Sequence, residues 1–205
     1  MLSYQANGIA VAIEAIESDV PVALLCAEVV PDSGGPGYHR GGAAMIRDSL
    51  WLQPAEHYLM ALRYKRASGF GVHGGGDGPT GGIWIFEPGD GYPAADEFRG
   101  SVPLAGVLDP ETNAPSRDGE YVYPFRRPTY HSAALSVLRY VNSGGGGWGD
   151  PFEREPERVM RDVRDGYVTI AGAARDYGVV VVGDPDEDPE GLVVDEQATR
   201  KLRAR

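Results

Sequence analysis

The chain has 205 residues and a mass of 22.0 kDa, which fits one domain with a core of ordinary size. Its net charge of −11 and isoelectric point near 4.8 exclude the clustered Lys and Arg that binding to a nucleic-acid backbone requires. The single cysteine, Cys26, excludes an internal disulfide framework, and no apolar run approaches the roughly 18 residues of a membrane span, so the sequence predicts a cytoplasmic protein.

Apolar residues in the first 140 positions mostly alternate with polar ones, a period of two that predicts strands separated by Gly, Pro and Asp turns. The segment 88–118 is the least regular and is predicted to be a long surface excursion. Strands are predicted at 9–13, 21–30, 45–52, 58–64, 83–86, 121–125 and 135–141.

The pattern becomes helical after residue 150, with an apolar stripe formed by Val159, Met160 and Val163. Three helices are predicted here: the first from Pro156 to Gly166, the second from Thr169 to Gly178, and the third from Asp195 to Arg205. The predicted fold class is therefore α+β, mainly β at first, with short helices in the tail. We expect a glycine-rich β domain over 1–142 and a glycine turn plus helical tail over 143–205, packed on the same domain.

Three glycine-dense segments are the strongest local feature: 31–42 (PDSGGPGYHRGG), 69–82 (GFGVHGGGDGPTGG) and 142–151 (NSGGGGWGDP). So many glycines indicate a geometric demand, which is either a bound anion held by backbone N–H groups or tight backbone packing. The candidate substrate- or anion-binding residues in these segments are Asp32, Arg40, His73, Gly144, Gly145, Gly146, Gly147 and Asp150. The alternative for each is a structural role in its own turn.

Sequence motifs for known catalytic sites are absent. The glycine run at 144–149 lacks the lysine of a phosphate-binding loop, and neither GxSxG nor GxGxxG occurs at a strand-to-helix junction. The four histidines are far apart and have no partner at helical spacing, so no metal site is predicted within this chain. The catalytic residues stay unidentified.

A family resemblance is carried by two motifs, PDSGGPGYHRGG and, about 100 residues later, NSGGGGWGDPFEREPERVMRDVRDGYVTIAGAARDYGVVV. Together they resemble the C-terminal third of the hydantoinase B family, which includes subunits of ATP-dependent hydantoinases, 5-oxoprolinases, lactamases, and acetone and acetophenone carboxylases. The resemblance extends from about residue 7 to residue 182 and is most specific over 144–178.

This resemblance implies a multi-subunit enzyme. Full-length family members carry a large N-terminal portion with His and Asp residues associated with a divalent metal, and the chain lacks that portion. We therefore expect a split polypeptide whose partners are an N-terminal hydantoinase B-like subunit and a hydantoinase A-like subunit that binds ATP. ATP and the metal (Mg, Mn or Zn) would lie on the partners, and this chain alone would bind no cofactor and be inactive.

The reaction implied is activation of a carbonyl by ATP, for which three roles stay open. In the first, the enzyme is a ketone carboxylase of the acetone or acetophenone type, which joins a ketone and bicarbonate to give a 3-oxo acid. In the second, it is a hydantoinase, oxoprolinase or lactamase that hydrolyses a cyclic amide. In the third, the chain is a non-catalytic scaffold of such a complex. In each case partner contacts would help to stabilise it, and the isolated chain is expected to behave poorly.

Overall fold

A computed structural model describes residues 12–59, 65–67, 69–89, 91–123 and 129–204. The strands are β1 Val22–Val29, β2 Met45–Trp51, β3 Ala55–Tyr58, β4 Gly82–Phe86, β5 Val102–Leu108, β6 Glu120–Val122, β7 Thr129–Ser132, β8 Ser136–Val141, β9 Val181–Val182 and β10 Val193–Val194. The helices are α1 Ile13–Asp19, α2 Pro156–Arg164, α3 Ile170–Tyr177 and α4 Glu196–Arg203. Strands dominate the first part and helices the tail, which confirms the predicted α+β class. No helix in these ranges is long and apolar enough to cross a membrane.

Six strands form the main sheet in the order β1-β2-β8-β4-β5-β6, and every neighbouring pair is antiparallel. Strands β3 and β7 form a separate antiparallel pair, as do β9 and β10. Both faces of the main sheet are covered at β4, because this strand is buried along its whole length. Trp84 and Phe86 of β4 join the core on one face, while Ile83 and Ile85 join the core on the other, as strand alternation requires.

A buried ion pair lies on the first of these faces. Asp48 of β2 and Arg139 of β8 are directly opposite in the antiparallel register, and the guanidinium donates to both carboxylate oxygens, at 2.8 and 2.6 Å. The same guanidinium donates to backbone carbonyls of Pro93, Ala94, Ala95 and Glu97. Arg139 therefore fastens the segment 93–97 over the sheet.

The predicted surface excursion over 88–118 is wrong in its central part. Strand β5 lies inside this segment and pairs with both β4 and β6. Leu104, Ala105, Val107 and Leu108 are buried there, so the segment supplies core rather than surface. The irregular look of the sequence arises because Pro103 and Gly106 interrupt an otherwise apolar strand.

The strand predicted at 9–13 is corrected at its last position, because helix α1 begins at Ile13. Residues 9–11 lie outside the described ranges, so the prediction for them stays a prediction. Ile13 and Ile16 are three positions apart, a helical spacing that the shorter alternation concealed. The strand predicted at 58–64 overlaps β3 only at Tyr58, and positions 60–64 lie outside the described residues. The strand predicted at 121–125 overlaps β6, which ends at Val122, and positions 124–128 lie outside the described residues.

All three predicted C-terminal helices are present, and the expected caps are observed at both ends of α3 and at the start of α4. The predicted end of the last helix, at residue 205, lies outside the described residues. Thr169 accepts a hydrogen bond from Gly172 N at 2.8 Å at the start of α3, and Gly178 ends it with a left-handed φ of 62°. The Asp195 carboxylate caps α4 in the same way. Helices α2 and α3 share an apolar cluster with β9, formed by Val159, Val163, Val168, Ala173, Tyr177, Val179, Val181 and Leu192.

A buried histidine joins β3 to β7. His57 Nε2 lies 2.8 Å from the Ser132 hydroxyl oxygen, and the imidazole contacts the Trp51 ring edge-on at 4.9 Å between centroids. Burial lowers the pKa of His57 below its ordinary value of 6.5, because an imidazolium would lose its hydration there. Folding therefore favours the neutral imidazole of His57.

We expect the free energy of unfolding to fall as the pH drops below about 6.5, because the unfolded chain then binds a proton that the folded chain resists. Above that pH the contribution is fully present. His57→Gln should reduce the difference in melting temperature between pH 8 and pH 5.5, whereas His131→Gln, a substitution at an exposed histidine of β7, should leave it unchanged. An equal pH dependence in wild type and His57→Gln would contradict this assignment.

Candidate functional site

The three glycine-dense segments meet in the folded chain, where 33–42, 69–82 and 143–149 lie side by side; we call this the glycine core. Backbone hydrogen bonds connect each segment to the other two. They run from Gly35 N to Gly145 O (2.8 Å), Gly145 N to Gly42 O (2.8 Å), Gly147 N to Gly76 O (2.9 Å), Gly144 N to Pro79 O (3.1 Å) and Gly76 N to Pro36 O (2.7 Å).

Side chains would not fit between these backbones. A Cβ placed on Gly41 would clash with the carbonyl of Gly145 and lie 2.9 Å from the backbone carbon of Gly146. A Cβ on Gly75 would clash in the same way with Gly147. Because the opposing atoms are backbone, they have no rotamer through which to move aside. The glycines thus allow three chain segments to approach more closely than any other residue would permit.

Tight backbone packing therefore accounts for the glycine run at Gly144, Gly145, Gly146 and Gly147. The N–H groups of Gly144, Gly145 and Gly147 already donate to carbonyls of the other two segments. An anion at these three groups would have to replace those hydrogen bonds. The observed geometry is that of tight backbone packing, and an anion-binding role of the run stays a prediction.

Asp150 lies where the glycine core leads into the helical tail. Its carboxylate accepts a hydrogen bond from Phe152 N at 2.8 Å and so caps the short 3-10 turn Pro151–Glu153. Gly149 just before it has a φ of 77°, which favours glycine. Asp150 is thus part of the joint between core and tail, and its role toward a ligand stays a prediction.

Arg40 extends from the glycine core toward the helical tail. Its Nε lies 3.4 Å from an Asp162 oxygen on α2, and its guanidinium stacks over the Tyr167 ring at 4.5 Å. Arg154 donates to the other Asp162 oxygen at 2.8 Å and to the Tyr38 carbonyl at 2.7 Å. Asp162 therefore links two arginines and ties the tail to the core.

Tyr177 is buried near Arg40, Arg154 and Asp162; we call these four residues the buried cluster. Its hydroxyl has no hydrogen-bond partner among the described residues. Burial, with the Asp162 carboxylate as a smaller contribution, raises the pKa of Tyr177 to about 12, so the phenol stays protonated at neutral pH.

Sequence reasoning missed Arg154 and Asp162, because charged residues near an amphipathic helix are ordinarily solvated.

Asp32 lies on a different side of the glycine core, next to α3. Its φ of 57° is left-handed, and its carboxylate accepts hydrogen bonds from Thr169 N at 2.8 Å and from the Thr169 hydroxyl at 2.6 Å. Arg175 of α3 lies 3.8 Å away. Asp32 thus helps to hold the start of α3, and it also faces an open cleft.

His73 lies at the opposite end, beside an exposed tryptophan. His73 and His39 each place an imidazole centroid 5.5 Å from the Trp148 ring; we call His39, His73 and Trp148 the aromatic patch. Trp148 is 48% exposed, although it is fixed by two hydrogen bonds with the backbone of His39. His73 has a φ of 52°, a strained conformation for a non-glycine residue.

The predicted site residues therefore do not form one pocket. His73, Gly147 and Asp150 share one end of the glycine core, Arg40 points into the buried cluster, and Asp32 faces the cleft. Among the described residues, no group of three or more His, Cys, Asp or Glu side chains is placed to hold a metal ion.

Known proteins similar to this chain are much longer. The B component of a candidate D-/L-hydantoinase from a Pseudomonas strain is 32% identical over 87% of this chain and 25% of its own length. The beta chain of the caprolactamase of Pseudomonas jessenii is 31% identical, with 94% and 28% covered. The alpha chain of the acetone carboxylase of Xanthobacter autotrophicus is 29% identical, with 90% and 24% covered. The chain thus spans about a quarter of the length of these relatives.

Solved structures share the fold. The ATP-dependent caprolactamase of P. jessenii superposes with a TM-score of 0.67 at 26% identity, over 95% of this chain and 28% of that one. A nucleotide-free acetone carboxylase gives a TM-score of 0.66 at 23% identity, over 96% and 26%, and supports the fold alone. The sequence profile of the Hydantoinase B/oxoprolinase family matches residues 2–151, nearly three quarters of the chain. The chain therefore belongs to the Hydantoinase B/oxoprolinase family.

Proposed function

We propose that this chain is one part of an ATP-dependent enzyme that activates a carbonyl compound, with carboxylation of a ketone of the acetone or acetophenone type as the reaction. The observation that carries the proposal is family membership. The ATP-dependent caprolactamase at 26% identity supports the ATP dependence, and the acetone carboxylase alpha chain at 29% identity supports the carboxylation. In this proposal ATP and a divalent metal are held by partner chains, and this chain supplies a rigid surface that completes the assembly.

The aromatic patch fits a surface of this kind. Trp148 exposes large apolar area, yet the glycine core holds its backbone in place, so it offers a partner a preorganised anchor. Phe152, four residues later, is exposed as well, at 42% of the residue. In this proposal the partner at the patch is a polypeptide that corresponds to the remaining portion of the much longer relatives.

A second candidate reaction is hydrolysis of a cyclic amide. The observation that favours it is that the candidate hydantoinase component and the caprolactamase beta chain are 32% and 31% identical to this chain, against 29% for the acetone carboxylase alpha chain. Both reactions pass through anionic oxygens and both need a preorganised site. They differ in the co-substrate, since only carboxylation consumes bicarbonate.

The test is to coexpress the chain with the products of its neighbouring genes, purify the complex and measure ATP turnover. We expect turnover to rise with acetone or acetophenone plus bicarbonate, and the chain alone to show none. Turnover that responds only to hydantoin or caprolactam would replace carboxylation with amide hydrolysis. The absence of any copurifying hydantoinase B- or A-type chain would contradict the proposed assembly.

Trp148→Ala should weaken assembly of that complex at least tenfold, because truncation of a central aromatic anchor costs about 2 kcal/mol or more. The isolated variant should keep the wild-type circular dichroism spectrum, since the side chain is exposed. Tyr92→Ala, at a residue that is 63% exposed in a loop outside the glycine core, is the matched control and should assemble normally. Equal assembly of both variants would remove the aromatic patch from the interface.

A further inference from the structure

An open cleft of about 400 Å³ lies between the start of the glycine core, helix α3 and the β5–β6 loop. No part of the function proposed above uses it. Its lining comes from separate segments of the chain, and six of its eight residues have polar or charged side chains. The polar residues in the lining are Asp32, Thr80, Ser116, Arg117, Arg175 and Asp176.

Arg117 is the cation that this cleft leaves available. Arg175 is already engaged, because its guanidinium donates twice to the Asp176 carboxylate, at 2.8 and 2.6 Å. Arg117 instead makes one long hydrogen bond, 3.4 Å to the Asp77 carbonyl, and within the described ranges it has no ion pair with a carboxylate. Its planar fork of N–H donors suits a carboxylate oxygen pair.

Two hydroxyl groups line the same cleft as Arg117. The side chains of Thr80 and Ser116 line the cleft, and neither makes a hydrogen bond within the part of the chain that the structure describes. A hydroxyl can donate to an anionic oxygen without changing the charge of the site. Arg117, Thr80 and Ser116 are therefore hydrogen-bond donors that the cleft can offer to an anionic oxygen.

The wall around α3 restricts which anion can enter. Asp32 and Asp176 place two carboxylates there, and with Arg117 and Arg175 they make the lining neutral in sum. A dianion such as phosphate would be repelled by these carboxylates, whereas an N–H group on the ligand could donate to them. A neutral lining with separated positive and negative groups matches a ligand that carries one carboxylate and one N–H donor.

We infer that this cleft binds a small carboxylate that also bears an amide or amino N–H, with the carboxylate on Arg117, Thr80 and Ser116 and the N–H toward Asp32 and Asp176. Compounds of the acylamino-acid type belong to this class. The inference is independent of the reaction proposed above, because the cleft lies within this chain and can be tested without any partner.

Isothermal titration of the full chain with N-acetylglycine tests it, with acetate, acetamide and phosphate as comparison ligands. For N-acetylglycine we expect a dissociation constant on the order of 1 mM, which is reasonable for so few atoms. Acetate and acetamide, which each keep one of the two recognised groups, should bind roughly tenfold more weakly or worse. Chemical shift changes on addition of N-acetylglycine should centre on Thr80, Ser116 and Arg117.

Arg117→Gln should weaken N-acetylglycine binding at least roughly tenfold, since it removes a charge-assisted hydrogen-bond pair. Arg200→Gln is the matched control, because it removes the same charge from an exposed position on α4 and should bind as wild type. Thr80→Val is a second variant, also expected to bind more weakly. Equal melting temperatures would establish that all three variants are folded.

Three results would overturn the inference. The first is no detectable binding of N-acetylglycine by the wild-type chain at about 50 mM, a concentration far above the expected constant. The second is binding by Arg117→Gln that equals the wild type. The third is acetate or phosphate binding as tightly as N-acetylglycine, which would reduce the cleft to a general anion site.

Discussion

Gly41→Ala is expected to destabilise the folded chain by about 3 kcal/mol or more, or to prevent folding altogether. The added Cβ would clash with the backbone carbonyl of Gly145, where no rotamer change can relieve the overlap. Relief requires the two segments to separate, and separation would break the hydrogen bonds from Gly35 N to Gly145 O and from Gly145 N to Gly42 O. Urea denaturation followed by circular dichroism would measure the loss.

Gly42→Ala is the matched control for that variant, because it makes the same chemical change one residue later. A Cβ on Gly42 meets no described atom within 4 Å, and the residue is exposed. Gly42 also has no positive φ. We therefore expect the free energy of unfolding of Gly42→Ala to differ from that of the wild type by no more than about 1 kcal/mol, in either direction. Equal destabilisation by the two variants would contradict the account of the glycine core as backbone packing.

Arg139→Leu is expected to cost about 3 to 5 kcal/mol, because it leaves the Asp48 carboxylate buried without its partner. The guanidinium is fully buried, between the rings of Phe86 and Phe98 at 5.0 and 5.2 Å. The substitution also releases the carbonyls of segment 93–97. Hydrogen exchange in that segment should therefore accelerate along with the loss in denaturation free energy.

A double variant, Asp48→Leu with Arg139→Leu, should recover part of that loss, since it removes the unpaired charge as well. Arg200→Ala serves as the surface control: its ion pair with Glu196 is exposed, and it should change stability by less than about 1 kcal/mol. A cost for Arg139→Leu as small as that of Arg200→Ala would mean that the buried pair does not hold segment 93–97.

Local sequence patterns predicted the elements that depend on neighbours in the chain. The caps Thr169, Gly178 and Asp195 bound α3 and α4 as expected, because a cap is decided by a few adjacent residues. The apolar run at 83–86 likewise predicted β4. The family resemblance, carried by the motifs at 31–42 and from 142 onward, was confirmed by the profile match over 2–151.

Contacts between distant segments account for the errors. Strand β5 was not predicted because Pro103 and Gly106 are typical of loops. Its strand conformation depends on pairing with β4 and β6, which the local sequence does not reveal. The ion pair of Arg40 was likewise not predicted, because its partner, Asp162, lies more than a hundred positions away in the chain; a role of Arg40 toward a ligand stays a prediction. The cleft residues Thr80, Ser116 and Arg117 carry no sequence signal, because nothing nearby in the chain predicts that they meet α3.

The sequence by itself therefore determined the family, the α+β class and the helical tail, since each is encoded in local periodicity, caps or contiguous motifs. It also left two explanations of the glycine-dense segments open, an anion held by backbone N–H groups and tight backbone packing. Only the tertiary structure shows how those segments pack: the N–H groups of Gly144, Gly145 and Gly147 donate to carbonyls of the other two segments, and the missing side chains allow three backbones to lie together. The physical reason is that such packing depends on segments up to about 110 residues apart, a separation over which no sequence pattern specifies contact.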